Sequence, residues 1–227
     1  MEREIISSTL MEQTRAVLRD DIISLRLRPG EKLTVDSLSE RFGISRTPVR
    51  DALNALVEEG LVTVAPRVGY YIVDLSTEDI KEISGIRRMI ELYAFGIAAG
   101  NMDRDDVQSL LCDTLASKNL PAKERRATFE RLDRQFHMDI IRAAGNRRLV
   151  DLFMPIASFV DLMRNLNVRV EEALEEHISI LHAVLDGDMG QAMHLLEEHL
   201  NSVESAILLN VRDDDQTLHD DLRVGLA

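Results

Sequence analysis

Leu38-Ser39-Glu40-Arg41-Phe42-Gly43-Ile44-Ser45-Arg46-Thr47-Pro48-Val49-Arg50-Asp51-Ala52-Leu53 is the stretch on which the fold turns. Leu38 and Phe42 share one helical face, and Gly43 suits the left-handed exit that ends a helix. Ser45 is a capping residue type. Pro48 falls in the first turn beyond it, where amide donors have no intrahelical partner to lose. Val49, Leu53, Leu56 and Val57 then line a second helix, which Gly60 closes. Two helices joined by so short a turn predict a helix-turn-helix.

Upstream, apolar positions across 5–28 describe a helix that Pro29-Gly30 breaks, and Thr34 caps the short helix ending at Phe42. Downstream, Leu61-Val62-Thr63-Val64 and Tyr70-Tyr71-Ile72-Val73 flank a tip holding Pro66 and Gly69, the pattern of a β-hairpin. Helix, short helix, helix and hairpin follow one another within 75 residues. That order predicts a winged helix-turn-helix, whose second helix enters the DNA major groove. Arg46 and Arg50 project from one face of its first turns, and each guanidinium matches O6 and N7 of guanine. The hydroxyls of Ser45 and Thr47 suit phosphate oxygens. Arg67 sits at the hairpin tip, within reach of a minor groove or the backbone. The plainer alternative is a pair of solvated arginines held by Asp51 or Glu40; the elements around them favour DNA.

A net charge of −13 argues against such a partner until it is divided. Residues 1–75 carry 10 Lys and Arg against 12 Asp and Glu, a net of −2, and the rest carry 17 against 28, a net of −11. Arg41 to Val73 is +1, with 4 basic and 3 acidic residues. Phosphate binding needs a local basic surface, not a basic average.

Beyond Val73 every segment reads as helix: 78–99, 103–118, 122–144, 147–166 with a candidate kink at Pro155, 169–186 and 189–210. The expected fold is mainly α. A winged helix-turn-helix DNA-binding domain occupies 1–75 and an all-helical antiparallel bundle 76–211. An acidic tail, 212–227, is expected to be disordered. With 4% aromatic residues and no Trp, the core must be aliphatic, which favours helices. The one cysteine, Cys112, excludes an internal disulfide, points to the reducing cytoplasm and reads as a small core residue. No stretch approaches a membrane span and the N-terminus has no signal-peptide core, so no membrane partner is expected.

Asp133 and His137 lie four apart on one helical face, a spacing at which both reach one metal ion. His177, His182, His194 and His199 follow on later helices. Imidazole nitrogens with one carboxylate suit Zn2+ or Ni2+. Five-residue spacing turns His182 away from His177, and His194 from His199, by about 140°. Spacing alone also fits hydrogen-bonded core histidines. Glu175, Glu176 and Glu198 lie beside these positions in sequence, but adjacent helical positions point about 100° apart, so a metal-dependent hydrolase with an accessory helix-turn-helix is the weaker reading.

The Ser-Arg-Thr-Pro-Val-Arg-Asp-Ala-Leu string at 45–53, with Glu-Glu-Gly-Leu-Val after it, resembles the GntR family of transcription regulators. The resemblance implies that Arg46 and Arg50 read bases and that Ser45, Thr47 and Gly69 approach the DNA backbone. One position departs from it: many members carry an arginine where this chain has Asp36. That phosphate contact does not carry over, and Lys32 or Arg41 is left to replace it. Residues 78–205 resemble the FCD domain, the effector domain of the FadR branch, through Ile86-Arg87-Arg88-Met89-Ile90-Glu91, Asp133-Arg134-Gln135-Phe136-His137, Ala144-Gly145-Asn146 and Glu176-His177. Matched position by position, Asp133, His137, His177 and His199 are the implied ligands of a divalent transition metal, Zn2+ with Ni2+ or Mn2+ as alternatives. A small organic acid is then the expected effector. Arg87 either clamps its carboxylate or pairs with Glu91. A cytoplasmic homodimer on a palindromic double-stranded operator, with no enzymatic activity, completes the expectation.

Overall fold

The structure, a computed structural model, describes residues 9–66, 68–98, 101–166 and 169–224, with side chains to residue 211. The chain divides into two units, Met1–Leu75 and Ser76–Ala227.

The first unit contains α1 (Leu10–Ile23), β1 (Lys32–Leu33), α2 (Val35–Phe42), α3 (Arg46–Glu58), β2 (Val62–Ala65) and β3 (Gly69–Ile72). Thr9 and Glu12 close a reciprocal capping box on α1, which satisfies donors the helix leaves orphaned. Thr34 caps α2, and Gly43 ends it at φ 65. The Ile44 amide then donates to the Ser39 carbonyl, which sets the turn into α3. Ser45 occupies the N-cap of α3 in extended backbone, but its hydroxyl makes no capping bond, contrary to the sequence reading. The hairpin gains a third, unforeseen strand: the order is β1-β3-β2, antiparallel, with Lys32 opposite Tyr71 and Val62 opposite Ile72. Leu18, Ile22, Leu53, Leu56, Leu61 and Ile72 fill the core beneath. Buried Asp21 accepts from Arg26 Nε at 2.7 Å and Arg41 Nη2 at 2.6 Å, tying α1 to α2. Burial would raise its carboxyl, but the two guanidinium hydrogen bonds hold it below the usual carboxylate range.

The second unit contains α4 (Thr77–Ala98), α5 (Arg104–Ser117), α6 (Ala122–Ala143), α7 (Arg147–Leu166), α8 (Val170–Asp186) and α9 (Met189–Val224). α4 packs against α6, α7 and α9, and α8 against α5 and α9. Phe95, Phe136, Ile140, Ile180 and Leu196 lie in the shared core. α7 stays helical through Pro155. Cys112 is exposed instead of buried, because Val107, Leu110, Leu111 and Thr114 form the inward stripe of α5 and position 112 lies about 100° off it. α9 runs on past residue 211 to Val224. Between Gly190 and Gly225 no glycine or proline interrupts it, and extending an existing helix avoids the cost of a new nucleus.

Candidate metal centre and nucleic-acid interface

α6 turns Phe129, Leu132, Asp133, Phe136, His137, Ile140 and Ile141 inward, so the two polar residues ride on the stripe that makes the core. α8 likewise buries His177 between Leu174 and Leu181. On α9, His199 is buried among Leu196, Leu200 and Val203. The four side chains converge: Asp133, His137, His177 and His199 are all buried, and one potential ligand atom from each lies within 4.8 Å of the others. His177 Nε2 is 3.2 Å from His199 Nε2. Asp133 Oδ1 is 3.6 Å from His137 Nε2 and 3.6 Å from His177 Nε2. Neighbouring ligands of one first-row ion stand roughly 3–4 Å apart when each bond is about 2.1 Å, so this donor set fits such an ion. Buried His137 Nε2 has no hydrogen-bond partner, the orphan a metal would satisfy.

The outer atoms of three of these groups are fixed from behind. Glu91 Oε2 lies 2.6 Å from His137 Nδ1, and Glu176 Oε2 lies 2.7 Å from His199 Nδ1. Arg164 Nε donates to Asp133 Oδ2 and its Nη1 to Asp161 Oδ1 at 2.6 Å. A carboxylate behind an imidazole selects the tautomer whose Nε2 lone pair faces the centre. Phe136 stacks on His177, with centroids 4.3 Å apart, and meets His137 edge-on.

Protonation follows the same logic. Burial and the neighbouring His199 hold His177 well below the usual histidine range, and burial lowers His199 against the opposing pull of Glu176. Both rings are therefore neutral at neutral pH, the form that can donate a lone pair. Burial pushes the Asp133 carboxyl up, but Arg164, then His137, carry it well below the ordinary range. Burial pushes the Glu91 carboxyl up, but its electrostatic and hydrogen-bonding contacts with His137 and Arg87 hold it at about 2.

Both expectations for Arg87 bear on the geometry. Its Nε donates to Glu91 Oε1 at 2.7 Å, while its buried Nη2 has no partner. His182 and His194 stand outside the convergent set. Sequence reasoning named Glu91 only as a partner for Arg87 and Glu176 only as a residue turned from His177, and it missed Arg164. Glu176 does point away from its neighbour His177, but it meets His199 on the next helix.

In the first unit, Ser45, Arg46, Thr47 and Arg50 are all exposed at the start of α3, while Val49, Ala52, Leu53 and Leu56 face the core. Arg46 pairs with neither Asp51 nor Glu40; its Nε lies 2.8 Å from Asp36 Oδ1. Among the described residues Arg50 has no acidic partner. Gly69 begins β3 at φ 141, and a Cβ there would stand 3.4 Å from the Leu33 carbonyl oxygen. Arg41, a candidate for the missing phosphate contact, is engaged by Asp21 and lies over the Phe42 ring. Arg67 lies outside the described residues.

A winged helix-turn-helix followed by a separate helical bundle with a buried His and Asp cluster defines a DNA-binding transcription regulator. The chain belongs to the GntR family: residues 10–72 match the bacterial regulatory proteins of that family and residues 82–202 match the FCD domain. It is 30% identical to the transcriptional repressor GlaR of Escherichia coli K12 over 81% of this chain and 89% of that protein. A GntR regulator from Rhodococcus has the same fold, at 24% identity with a TM-score of 0.74, covering 88% of this chain and 98% of that one. The Zn2+-bound FCD domain of the regulator TM0439 aligns at 27% identity and a TM-score of 0.52, over 61% of this chain and 97% of that domain. The relatives are transcription regulators, and so is this chain. Among the described residues no helix is long and apolar enough to cross a membrane.

Proposed function

We propose that this regulator senses a small organic acid at a divalent transition-metal centre, Zn2+ by preference, held by Asp133, His137, His177 and His199. The observation that carries the reading is the convergence of three imidazoles and one carboxylate with an orphaned His137 Nε2. The TM0439 domain, which is bound to Zn2+, supports the choice of metal. Bound there, the ion supplies a Lewis-acidic anchor for a carboxylate oxygen. The chain's own residues do the rest. Glu91 and Glu176 hold the imidazole tautomers, Arg164 orients Asp133, and the unpartnered Arg87 Nη2 offers a charge-assisted hydrogen bond to a second carboxylate.

Residues 1–75 read the operator in this proposal. Arg46 and Arg50 contact bases, Ser45 and Thr47 contact phosphate, and Arg67 and Gly69 bring the wing to the backbone. The protein acts as a cytoplasmic homodimer on a palindromic site. The acid alters operator affinity by binding one dimer arrangement better than the other. The test loads metal-stripped protein with one equivalent of Zn2+ and titrates it with short hydroxy acids and dicarboxylates by calorimetry. Binding that needs the ion and weakens in Arg87→Ala is expected. Equal binding to stripped and loaded protein would refute the proposal.

A further inference from the structure

We infer that Asp36 is a specificity-determining residue: it positions the Arg46 guanidinium so that the two terminal nitrogens, and not the Nε edge, face the base. This rests on the proposed reading that Arg46 contacts DNA. Asp36 is the second residue of α2 and Arg46 the first of α3, so the pair joins two helix starts across the turn. The frame beneath is fixed. The Ser37 amide donates to the Thr34 hydroxyl at 3.2 Å, and Gly43 and the Ile44–Ser39 bond set the turn. Asp36 sits in the first turn of its helix, where the backbone dipole favours a carboxylate.

The pair is exposed, 69% for Arg46 and 71% for Asp36, so it contributes little to folding and stability does not account for it. Its effect lies in ordering. An arginine on an open helix start samples many rotamers, and binding must freeze one of them. Asp36 Oδ1 stands 2.8 Å from Nε, an ion pair beside the inner edge of the guanidinium that narrows its choice of rotamers. The edge left open, Nη1 and Nη2, is a fork that spans O6 and N7 of guanine. The same carboxylate repels phosphate and so lowers affinity for DNA of any sequence. Ordering and repulsion therefore widen the gap between specific and non-specific binding together. Arg50, one turn further on, has no such tether among the described residues.

The full-length chain is used to select duplexes from a randomised library, and a random-sequence duplex of equal length is the non-specific probe. Asp36→Ala and Asp36→Asn are each expected to bind the selected duplex about tenfold more weakly. They should bind the random duplex as tightly as wild type or more tightly, with melting temperatures little changed. Base preference should relax at the position that Arg46→Ala relaxes, and adding Asp36→Ala to Arg46→Ala should relax it no further. Equal changes on both duplexes with every preference intact overturn the inference, because Asp36 then only repels phosphate. If Arg46→Ala itself relaxes no position, the base contact assigned to Arg46 has failed, and the role of Asp36 fails with it.

Discussion

Replacing Glu91 by Gln separates two functions of one buried carboxylate. Glu91 is fully buried and bridges Arg87 Nε, at 2.7 Å, and His137 Nδ1, at 2.6 Å. Glutamine keeps an acceptor for the imidazole but removes the charge that balances Arg87. Charges about 4 Å apart at an effective dielectric near 20 attract by about 4 kcal/mol, and breaking a buried pair costs about 3–5 kcal/mol. Metal-free Glu91→Gln is therefore expected to lose about 3 kcal/mol of stability in urea denaturation. Its effect on metal affinity is separate. Partners behind a ligating imidazole are worth about 10–100-fold, so Zn2+ affinity in chelator competition should fall by about 1.4–2.8 kcal/mol. The refuting result is a variant that binds Zn2+ as tightly as wild type while His137→Ala loses it. The charge of Glu91 would then serve only the bundle, and its action on His137 would be that of a hydrogen-bond acceptor, which glutamine retains.

Elemental analysis of the purified protein should give close to one metal ion per chain; His177→Ala and His199→Ala should lower it, while His182→Ala and His194→Ala should not. Arg50→Ala should cost about 1–3 kcal/mol on a selected duplex and relax one base position, read by binding to single-base variants. Truncating buried Phe136 to Ala should cost about 3–5 kcal/mol in denaturant midpoint and loosen the His177 ring stacked on it. His177 and His199 are both lowered in the fold, so the unfolded chain binds more protons than the folded one. Metal-free stability should be full above about pH 6.5 and fall as the pH drops below it, by up to about 1.4 kcal/mol per pH unit for each ring that stays neutral. A denaturation midpoint as pH-sensitive in His177→Ala as in wild type would contradict this.

Periodicity and punctuation make most of this fold legible before any coordinates. Gly43 and Gly187 end helices where glycine is expected, and the expected helix at 122–144 becomes Ala122–Ala143. β1 escapes notice because two residues, Lys32 and Leu33, are too few to show a period; only pairing with β3 makes them a strand. Within the site, the four-residue step from Asp133 to His137 is visible as a shared face. The supporting partners are not, because they are contacts across the bundle: Glu91 to His137 spans 46 residues and Glu176 to His199 spans 23. Helical geometry fixes the direction of Glu176 from its own axis but cannot say which helix it will meet. The Asp36–Arg46 pair is hidden for the same reason, since it depends on how α2 and α3 cross.

The candidate ligands come from α6, α8 and α9, and the groups that brace them from α4, α7 and α8. No short piece of the chain holds the set: the helix Ala122–Ala143 carries only Asp133 and His137. During synthesis the chain emerges from its N-terminus, so His199 is made after all of α4 to α8. An ion held by the proposed set would then meet a nearly finished bundle and not a nascent peptide, the reverse of small zinc modules in which metal capture drives folding.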